Sequence, residues 1–546
     1  MASPTRLAEE NIRDYLSRGI WQTMSLSDYW DRNASRIPQA IAVTDGKRNI
    51  SWAEAKVWTD RVALALIHLG LDRDDVVVLQ LPNSVELPLL RVACEKAGAL
   101  SLPVPRTLRQ SEMRYCLRYT EAKAVVVPRR YRDFDHFGMV RELQTDLPHL
   151  RSLVVVGEEA PLGALSLDEM ASDPWEKKVS PLLSRERRYK ASEVSLINAT
   201  TGSTGLPKFS EYTAAARLLY GRGYIDVFGL GDTDVLAALS PAAAGPNIPV
   251  YFAAPQLGAK TALLSHFEAE AAFELIQREK VTLACLVPAQ LALMVAHPHA
   301  RRYDLSSVRF WLSVGAPLPS NLAREAEEKL GGIVLNCYGA VDWGGVVFTS
   351  PFDPPEVRYF TVGRPHAGTE VRLVNEAGNP VGVGEIGEMQ GRGPACSSGY
   401  YKDSEATSRA WTRDGWLPLG DLAQWNSGGN LVVVGRKHDL IIRGGQNIAP
   451  SEIENYLLAH PKVKQAAVIG MPDPVYGERV CAYVVPRGDE PPILEEILSF
   501  LRSKKIAPYK FPERLEVTDS LPMISDTKVN KRILVEDITV KLTQDV

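Results

Sequence analysis

Short apolar runs alternate with longer amphipathic stretches along this chain of 546 residues. The runs lie at residues 76–81, 124–127, 153–156 and 235–239, and residues 84–99 read as a helix that Asn83 or Ser84 could cap. Continuous apolar strands separated by helices are typical of buried, partly parallel sheets. The pattern therefore predicts a layered α/β architecture.

A second, smaller domain is indicated near the C-terminal end. A turn signal at residues 425–430 and an apolar run at 431–434 precede the basic segment Gly435-Arg436-Lys437-His438-Asp439. The remaining chain is long enough for a domain of its own. It contains helix patterns at 451–458 and 493–504, and strand patterns at 465–470 and 480–485. We predict a large N-terminal domain of layered α/β sheets over residues 1–435 and a small, mobile C-terminal α+β domain over residues 436–546.

Charge and cysteine usage narrow the classes of partner. With 62 basic and 66 acidic residues, the net charge of -4 gives no footprint for nucleic acid or for an anionic membrane. The six cysteines are scattered singly, which favours a reducing compartment. The N-terminus carries no apolar signal region, and no apolar run reaches the length of a membrane span. We expect a cytoplasmic protein with small-molecule or protein partners, and its oligomeric state stays open, a homodimer included.

One loop carries the strongest chemical signal. Residues 197–208 place four hydroxyls, two glycines and a lysine directly after an apolar run. Glycines let backbone N–H groups approach an anion, hydroxyls donate further hydrogen bonds, and lysine adds a charge. The spacing differs from that of a P-loop. The candidate phosphate-binding residues are Thr200, Thr201, Gly202, Ser203, Thr204, Gly205 and Lys208.

The order Thr-Thr-Gly-Ser-Thr-Gly-Leu-Pro-Lys resembles the phosphate loop of the adenylate-forming family, which includes acyl-CoA ligases, aryl-acid adenylating enzymes and peptide-synthetase adenylation domains. Five further segments resemble the same family in the same order, at residues 313–318, 336–342, 414–421, 435–448 and 521–531. The segment at 435–448 is the most specific match after the phosphate loop. Single residues of these segments are weak evidence, because isolated lysines, aspartates and turns are common on protein surfaces. Their collinear occurrence favours the family.

The resemblance implies a nucleotide site. It assigns two segments to the adenine ring: Gly315, Ala316 and Pro317, and Asn336, Tyr338 and Gly339. Within the second segment, Tyr338 would stack on the ring. It further assigns Asp421 to the ribose hydroxyls, Arg436 to ribose or phosphate, and Asp342 with Thr201 to Mg²⁺. Four positions depart from the family pattern: Val341, Asp342, Leu419 and Thr527. Since Val341 has no hydroxyl to donate, the loop hydroxyls and Lys528 must carry more of the phosphate contacts.

The C-terminal segments resemble the part of the family that rotates between the two half-reactions. The resemblance gives the catalytic role to Lys528, with Lys531 as the poorer candidate, because a lysine there can draw charge from the reacting carboxylate and α-phosphate. It makes His438 the hinge of the domain rotation. Gly444 and Gly445 would let a thiol-bearing pantetheine arm pass close to the backbone.

The reaction that this family implies has two halves. A carboxylate attacks the α-phosphorus of MgATP to give an acyl-adenylate and pyrophosphate, and a thiol then displaces AMP. The predicted substrate pocket comprises Ala244, Gly245, Asn247, Gly339 and Trp343, and its small residues suggest a roomy hydrophobic space.

We expect an ATP-dependent carboxylate:CoA ligase that acts on a bulky aromatic or alicyclic acid and uses ATP, Mg²⁺ and CoA. A first alternative is a stand-alone acid:AMP ligase that loads the phosphopantetheine thiol of an acyl or peptidyl carrier protein. A second alternative is a catalytically impaired nucleotide-binding relative.

Overall fold

The computed structural model describes residues 6–157, 159–199, 207–243, 245–366, 368–443, 446–504, 506–525 and 528–544. The side chains at 438, 446, 447, 524, 525 and 528 are not among the described parts. Within these limits, four sheets of four or more strands form the framework, and helices cover the two largest.

The strands supply the framework of every layer. In chain order they are β1 (Ile41–Thr44), β2 (Asn49–Ser51), β3 (Val76–Leu79), β4 (Leu100–Pro103), β5 (Ala124–Pro128), β6 (Arg130–Tyr131), β7 (Phe134–Asp135), β8 (Ser152–Val156), β9 (Leu165–Ser166), β10 (Val194–Ala199), β11 (Phe209–Thr213), β12 (Val235–Ala238), β13 (Lys260–Leu263), β14 (Leu283–Leu286), β15 (Phe310–Val314), β16 (Ile333–Gly339), β17 (Val346–Phe348), β18 (Arg364–Pro365), β19 (Glu370–Val374), β20 (Gly387–Arg392), β21 (Gly399–Tyr400), β22 (Leu417–Trp425), β23 (Leu431–Arg436), β24 (Ile441–Arg443), β25 (Gln446–Ile448), β26 (Val463–Asp473), β27 (Gly477–Pro486), β28 (Arg514–Val517), β29 (Met523–Ser525) and β30 (Lys528–Val529).

The helices are α1 (Glu9–Ser17), α2 (Leu26–Arg36), α3 (Trp52–His68), α4 (Glu86–Ala97), α5 (Gln110–Thr120), α6 (His136–Gln144), α7 (Leu167–Ser172), α8 (Pro181–Arg187), α9 (Ala214–Phe228), α10 (Ile248–Phe252), α11 (Ala254–Leu257), α12 (Ala269–Glu279), α13 (Pro288–Ala296), α14 (Ser320–Leu330), α15 (Pro355–Phe360), α16 (Ser404–Ala410), α17 (Pro450–Leu458), α18 (Leu494–Ser503) and α19 (Lys531–Gln544). Single 3₁₀ turns lie at Trp175–Lys177, Gly245–Asn247, Ala300–Arg302, Lys437–Asp439 and Pro508–Lys510. No described helix is both long enough and apolar enough to span a bilayer.

Two large sheets dominate the N-terminal part. One has the order β21-β11-β10-β4-β3-β5-β8-β9, and the other has the order β18-β17-β16-β15-β14-β12-β13-β1-β2. Their central strands pair in parallel, as β3 does with β4 and β5, and β14 does with β12 and β15. The predicted layered α/β class is confirmed, and strands occur at all four apolar runs.

Helix α4 lies at the centre of this body. All of its residues are buried, including the charged side chains of Glu86, Glu95 and Lys96, which contact Arg48, the Ser27 N–H and Asp31. It ends at Gly98, whose φ of 75° places it in the left-handed region that glycine tolerates. The predicted side-chain cap is wrong: the Asn83 amide donates instead to the carbonyls of Ala238, Ser240 and Leu264, and the Ser84 hydroxyl has no hydrogen-bond partner among the described residues.

Two smaller sheets complete the chain. The sheet β19-β20-β22-β23 ends at Arg436, and a five-stranded sheet built on β24–β28 follows it. The four elements predicted in the C-terminal part are present as α17, β26, β27 and α18. A large N-terminal domain followed by a small C-terminal one is therefore confirmed. The exact boundary between residues 435 and 436 stays a prediction.

Candidate active site

Two adjacent parallel strands set the edge at which the candidate residues gather. Val314 at the end of β15 pairs with Cys337 near the end of β16, so that the turns after both strands leave the sheet side by side. Ligands of open α/β sheets bind at such carboxyl ends. Gly315 has a φ of 96°, a conformation that L-residues with a side chain rarely adopt. Ala316 and Pro317 follow it at the partly exposed rim.

Three of the predicted nucleotide-binding residues meet in one cluster. Asp421 lies directly opposite Arg436 in the pairing of β22 with β23, and Arg436 Nε donates to Asp421 Oδ1 at 2.8 Å. The Tyr338 hydroxyl donates to the other carboxylate oxygen. Burial, with the adjacent Asp421 carboxylate, raises the pKa of Tyr338 well above its usual value. Tyr338 therefore stays a neutral donor beside this carboxylate.

A second cluster joins the predicted metal ligand to the predicted phosphate lysine. The Tyr400 hydroxyl donates to Asp342 Oδ2 at 3.2 Å, and Lys208 Nζ lies 4.8 Å from the centroid of the Tyr400 ring. Burial and the Asp342 charge both raise the pKa of Tyr400. Among the described residues, no group of three or more His, Cys, Asp or Glu side chains could hold a metal alone. A single carboxylate still suits Mg²⁺, which commonly takes one or two protein carboxylates together with substrate phosphates.

A compact cavity of about 60 Å³ opens beside these clusters. Gly339 and Val341 from the turn after β16 line it, as does Gly245 from the turn after β12. For comparison, a protein cavity that binds benzene measures about 150 Å³. The described cavity is smaller than that, and the roomy acyl pocket stays a prediction.

The lining also differs in charge from the sequence-based expectation. Arg91 on α4 and Arg217 on α9 both line the cavity, so it is not purely hydrophobic. Sequence reasoning missed both residues. The available signal was a single arginine inside an otherwise apolar segment, Leu-Pro-Leu-Leu-Arg-Val-Ala-Cys for α4, and a single arginine after three alanines for α9.

Two residues predicted to touch substrate lie behind the cavity wall. Asn247 is fully buried, and its amide donates to the carbonyls of Ser240 and Pro241 at 2.9 Å each. Trp343 is also fully buried, and a Cβ added at Gly345 would lie 2.4 Å from its ring. Neither side chain lines the cavity. Both side chains position the turns beside the cavity, and their contact with substrate stays a prediction.

Asn336 likewise has a structural role. Its side-chain amide donates to the Thr361 carbonyl at 2.9 Å, and its backbone N–H donates to the Thr349 hydroxyl at 3.0 Å. The amide therefore anchors β16 from behind the site, and direct contact of Asn336 with adenine stays a prediction.

Other predicted residues lie wholly or partly outside the described residues. Thr200, Thr201, Gly202, Ser203, Thr204, Gly205, Ala244, Gly444 and Gly445 belong to this group. The backbone of Lys528 begins β30, and that of His438 lies in the turn Lys437–Asp439, but neither side chain is described. Their roles stay predictions.

Comparisons with known proteins identify the family. The profile of the AMP-binding enzyme family matches residues 30–401, and that of the AMP-binding enzyme C-terminal domain matches residues 452–528. The 2,3-dihydroxybenzoate-AMP ligase of Bacillus subtilis (strain 168) is 34% identical over 542 residues, which cover 99% of this chain and 97% of that protein. The 2-hydroxy-7-methoxy-5-methyl-1-naphthoate–CoA ligase of Streptomyces carzinostaticus is 33% identical over 528 residues, which cover 95% of this chain and 94% of that protein.

A solved structure shows the same fold. The apo structure of MbtA from Mycobacterium smegmatis has a TM-score of 0.73 and 29% sequence identity, covering 97% of this chain and 98% of that one. The family profile spans more than half of the chain, and the relatives match over nearly their whole length. These matches confirm the resemblance found in the six sequence segments, and the chain belongs to the AMP-binding enzyme family.

Proposed function

We propose that this protein is an AMP-forming carboxylate:CoA ligase for an aromatic or alicyclic acid. The observation that carries the proposal is the short turn from Tyr338 to Asp342. It joins the cluster around Asp421, the cluster around Lys208 and the wall of the cavity. This turn supports the proposal because it would bring sites for nucleotide, phosphates and acyl group next to one another, as the transfer of an acyl group onto AMP requires.

Asp421 would bind the ribose. Its partners include Arg436, on one oxygen, and Tyr338, on the other. A carboxylate offers about four acceptor positions, so that both ribose hydroxyls can still donate to it. Tyr338, held in place by this bond, offers its ring to the adenine.

Asp342 and Lys208 would face the phosphates. Asp342 would hold Mg²⁺, which would neutralise phosphate charge when bound. Lys208, in contact with the Tyr400 ring, adds a positive charge close to that carboxylate. The two anionic reactants repel each other in water, and these groups lower that repulsion.

Lys528 would stabilise the transition state of the first half-reaction. The carboxylate oxygen of the acid forms a bond to the α-phosphorus, and the bond from that phosphorus to pyrophosphate breaks. In the second half-reaction the thiol forms a bond to the acyl carbon, and AMP leaves with the oxygen that came from the acid. Rotation about His438 would exchange Lys528 for the Gly444-Gly445 face between the two halves.

The proposed classes of acid and of thiol acceptor are supported by the names of the relatives. Both named relatives act on ring acids, and one is named a CoA ligase whereas the other is named an AMP ligase. A carrier-protein thiol is therefore the alternative acceptor. All six cysteines are buried and free, which supports a reducing, cytoplasmic location.

The test is a product assay. The protein is incubated with MgATP, CoA and a panel of ring acids, and the products are separated by mass spectrometry. We expect acyl-CoA, AMP and pyrophosphate in equal amounts. An acyl-adenylate that reacts with a carrier protein but not with CoA would establish the alternative acceptor. Absence of pyrophosphate with every acid would favour the non-catalytic alternative.

A further inference from the structure

We propose that Arg91 and Arg217 form an anion-binding subsite in the acyl cavity, and that the enzyme activates a dicarboxylic acid whose second carboxylate binds there. This inference rests on the proposed function and narrows its substrate class. Both arginines line the cavity that the turn Gly339–Val341 also lines.

Arg91 is a buried cation with no anionic partner among the described residues. Its residue is 8% exposed, and its Nε has no hydrogen-bond partner among the described residues. The guanidinium carbon lies 5.1 Å from the centroid of the Tyr251 ring and 5.8 Å from that of Phe252. Such cation–π contacts offset only part of the cost of burying a charge.

Arg217 is buried still more completely, at 1% exposure. Its guanidinium carbon lies 3.3 Å from the centroid of the Tyr212 ring, and its Nη2 donates at 2.9 Å to the Asn198 side-chain oxygen when that amide faces it. The Nε of Arg217 has no partner in the described part of the chain. A neutral amide satisfies one donor but leaves the charge unbalanced.

Two other cations are buried among the described residues, and both are paired. Lys96 is fully buried and contacts Asp31 and Asp60 at 2.7 and 2.6 Å, and buried Arg358 contacts Glu327 at 2.6 Å. Neither cavity arginine forms an ion pair with any Asp or Glu that the structure describes, although burying an unpaired charge is costly. The cavity pair therefore departs from the pattern of the rest of the fold.

The two arginines also act on each other. Burial lowers the pKa of Arg91 to about 10, and the charge of Arg217 contributes in the same direction. The group remains cationic at neutral pH, because its pKa is still well above 7. Two neighbouring cations without anions of their own are matched by a carboxylate, which accepts hydrogen bonds from both.

The position of Arg91 favours the second carboxylate over the reacting one. The reacting carboxylate must lie near the turn that carries Tyr338 and Asp342. Arg91 instead contacts Tyr251 and Phe252 of α10, which belong to the helical side of the cavity. An acid with carboxylates at two ends would span from the turn to this helical side.

Matched acids test the inference. Benzoate is compared with isophthalate, phthalate and terephthalate, and butyrate is compared with glutarate, by acid-dependent ATP–pyrophosphate exchange. Because a neutral acyl group leaves both guanidiniums unpaired, we expect kcat/KM for the best diacid to exceed that of its matched monoacid by about tenfold or more. Thermal shift with each acid alone reports binding without catalysis.

Variants assign the effect to the pair. We expect Arg91→Met and Arg217→Met each to lower kcat/KM for the diacid by about 10- to 100-fold while the monoacid value stays the same or rises. The matched control is Arg358→Met, which removes a buried arginine that has its own carboxylate and lies outside the cavity lining. It should lower the melting temperature and leave the diacid-to-monoacid ratio unchanged. If the Met variants do not fold, Arg→Lys replaces them, and a smaller loss on the diacid alone is expected.

The outcomes are separable. Activation of monoacids in preference to every diacid would overturn the subsite and leave the proposed function standing. An equal loss on both members of a pair in Arg91→Met would overturn it too, since the arginine would then bind the reacting carboxylate. If no acid supports exchange, the proposed function fails. The subsite is then judged by whether Arg217→Met abolishes a diacid-specific thermal shift, and equal shifts for both acids would contradict it.

Discussion

Replacing Asp421 with Asn tests the ribose site most sharply. The substitution keeps the size of the side chain but leaves one acceptor oxygen where the carboxylate has two. A hydrogen bond to a charged group contributes about 1.5–3 kcal/mol. The loss of one such bond from a ribose hydroxyl corresponds to a rise of roughly 10- to 150-fold in the KM for ATP.

Folding should be affected much less by Asp421→Asn. The Tyr338 hydroxyl can still donate to the remaining oxygen, and the partner Arg436 is almost half exposed. Because the Arg436 end of the pair is solvated, loss of the ion pair costs nearer the about 1 kcal/mol of a surface pair than the roughly 3–5 kcal/mol of a buried one. We therefore expect a melting temperature within a few degrees of wild type.

The assay is pyrophosphate exchange at varied ATP with the acid saturating. Asp414→Asn is the matched control, because Asp414 lies in the same sequence segment but pairs with Arg372 on the surface. A KM for ATP within twofold of wild type in Asp421→Asn would refute the ribose assignment. So would an equal rise in the Asp414→Asn control.

Three further predictions follow from individual residues. Lys528→Ala should lower acid-dependent exchange by about 100-fold or more while ATP binding survives. Lys531→Ala should leave exchange nearly unchanged, because Lys531 pairs with Glu454 at 2.7 Å. A larger loss of exchange in Lys531→Ala than in Lys528→Ala would contradict the assignment. Burial lowers the pKa of His136 to about 4, so that the unfolded chain takes up a proton at this imidazole at a higher pH than the folded protein does. The contribution of neutral His136 to the free energy of unfolding should therefore be complete above about pH 6.5 and fall as the pH drops towards 4. Urea unfolding at several pH values measures this free energy. His136→Gln should reduce the slope of the unfolding free energy against pH, and an unchanged slope would contradict the assignment to His136. Gly391→Ala should destabilise the fold by roughly 1–3 kcal/mol in urea, since its Cβ would lie 2.2 Å from the Trp343 ring, and a neutral effect would show that the ring can move.

The sequence could predict those features that depend on local pattern. Apolar runs predicted β3, β5, β8 and β12, and periodicity predicted α4 to within two residues at each end. Motif order predicted the family, and the structure brings together Tyr338, Asp421 and Arg436 from segments that lie far apart in the chain.

Contacts between residues far apart in the chain could not be predicted from the sequence. The sequence suggests that Asn83 caps a helix, but its amide donates to three backbone carbonyls from a different part of the fold. Arg91 and Arg217 lie on different helices, and only the packing of α4 and α9 around one cavity makes them a pair. Trp343 follows the turn closely in sequence, yet its ring points into the core against Gly391. Chain proximity alone does not reveal which side chains reach a cavity.

The central claim is that an oxygen of the acid attacks the α-phosphorus of ATP. The direct measurement uses an acid labelled with ¹⁸O in both carboxylate oxygens, together with MgATP and CoA, and follows the label by mass spectrometry. The account predicts one ¹⁸O in AMP and one in the acyl-CoA, with none in pyrophosphate. Label in pyrophosphate or inorganic phosphate, or AMP without label while acyl-CoA forms, would contradict it.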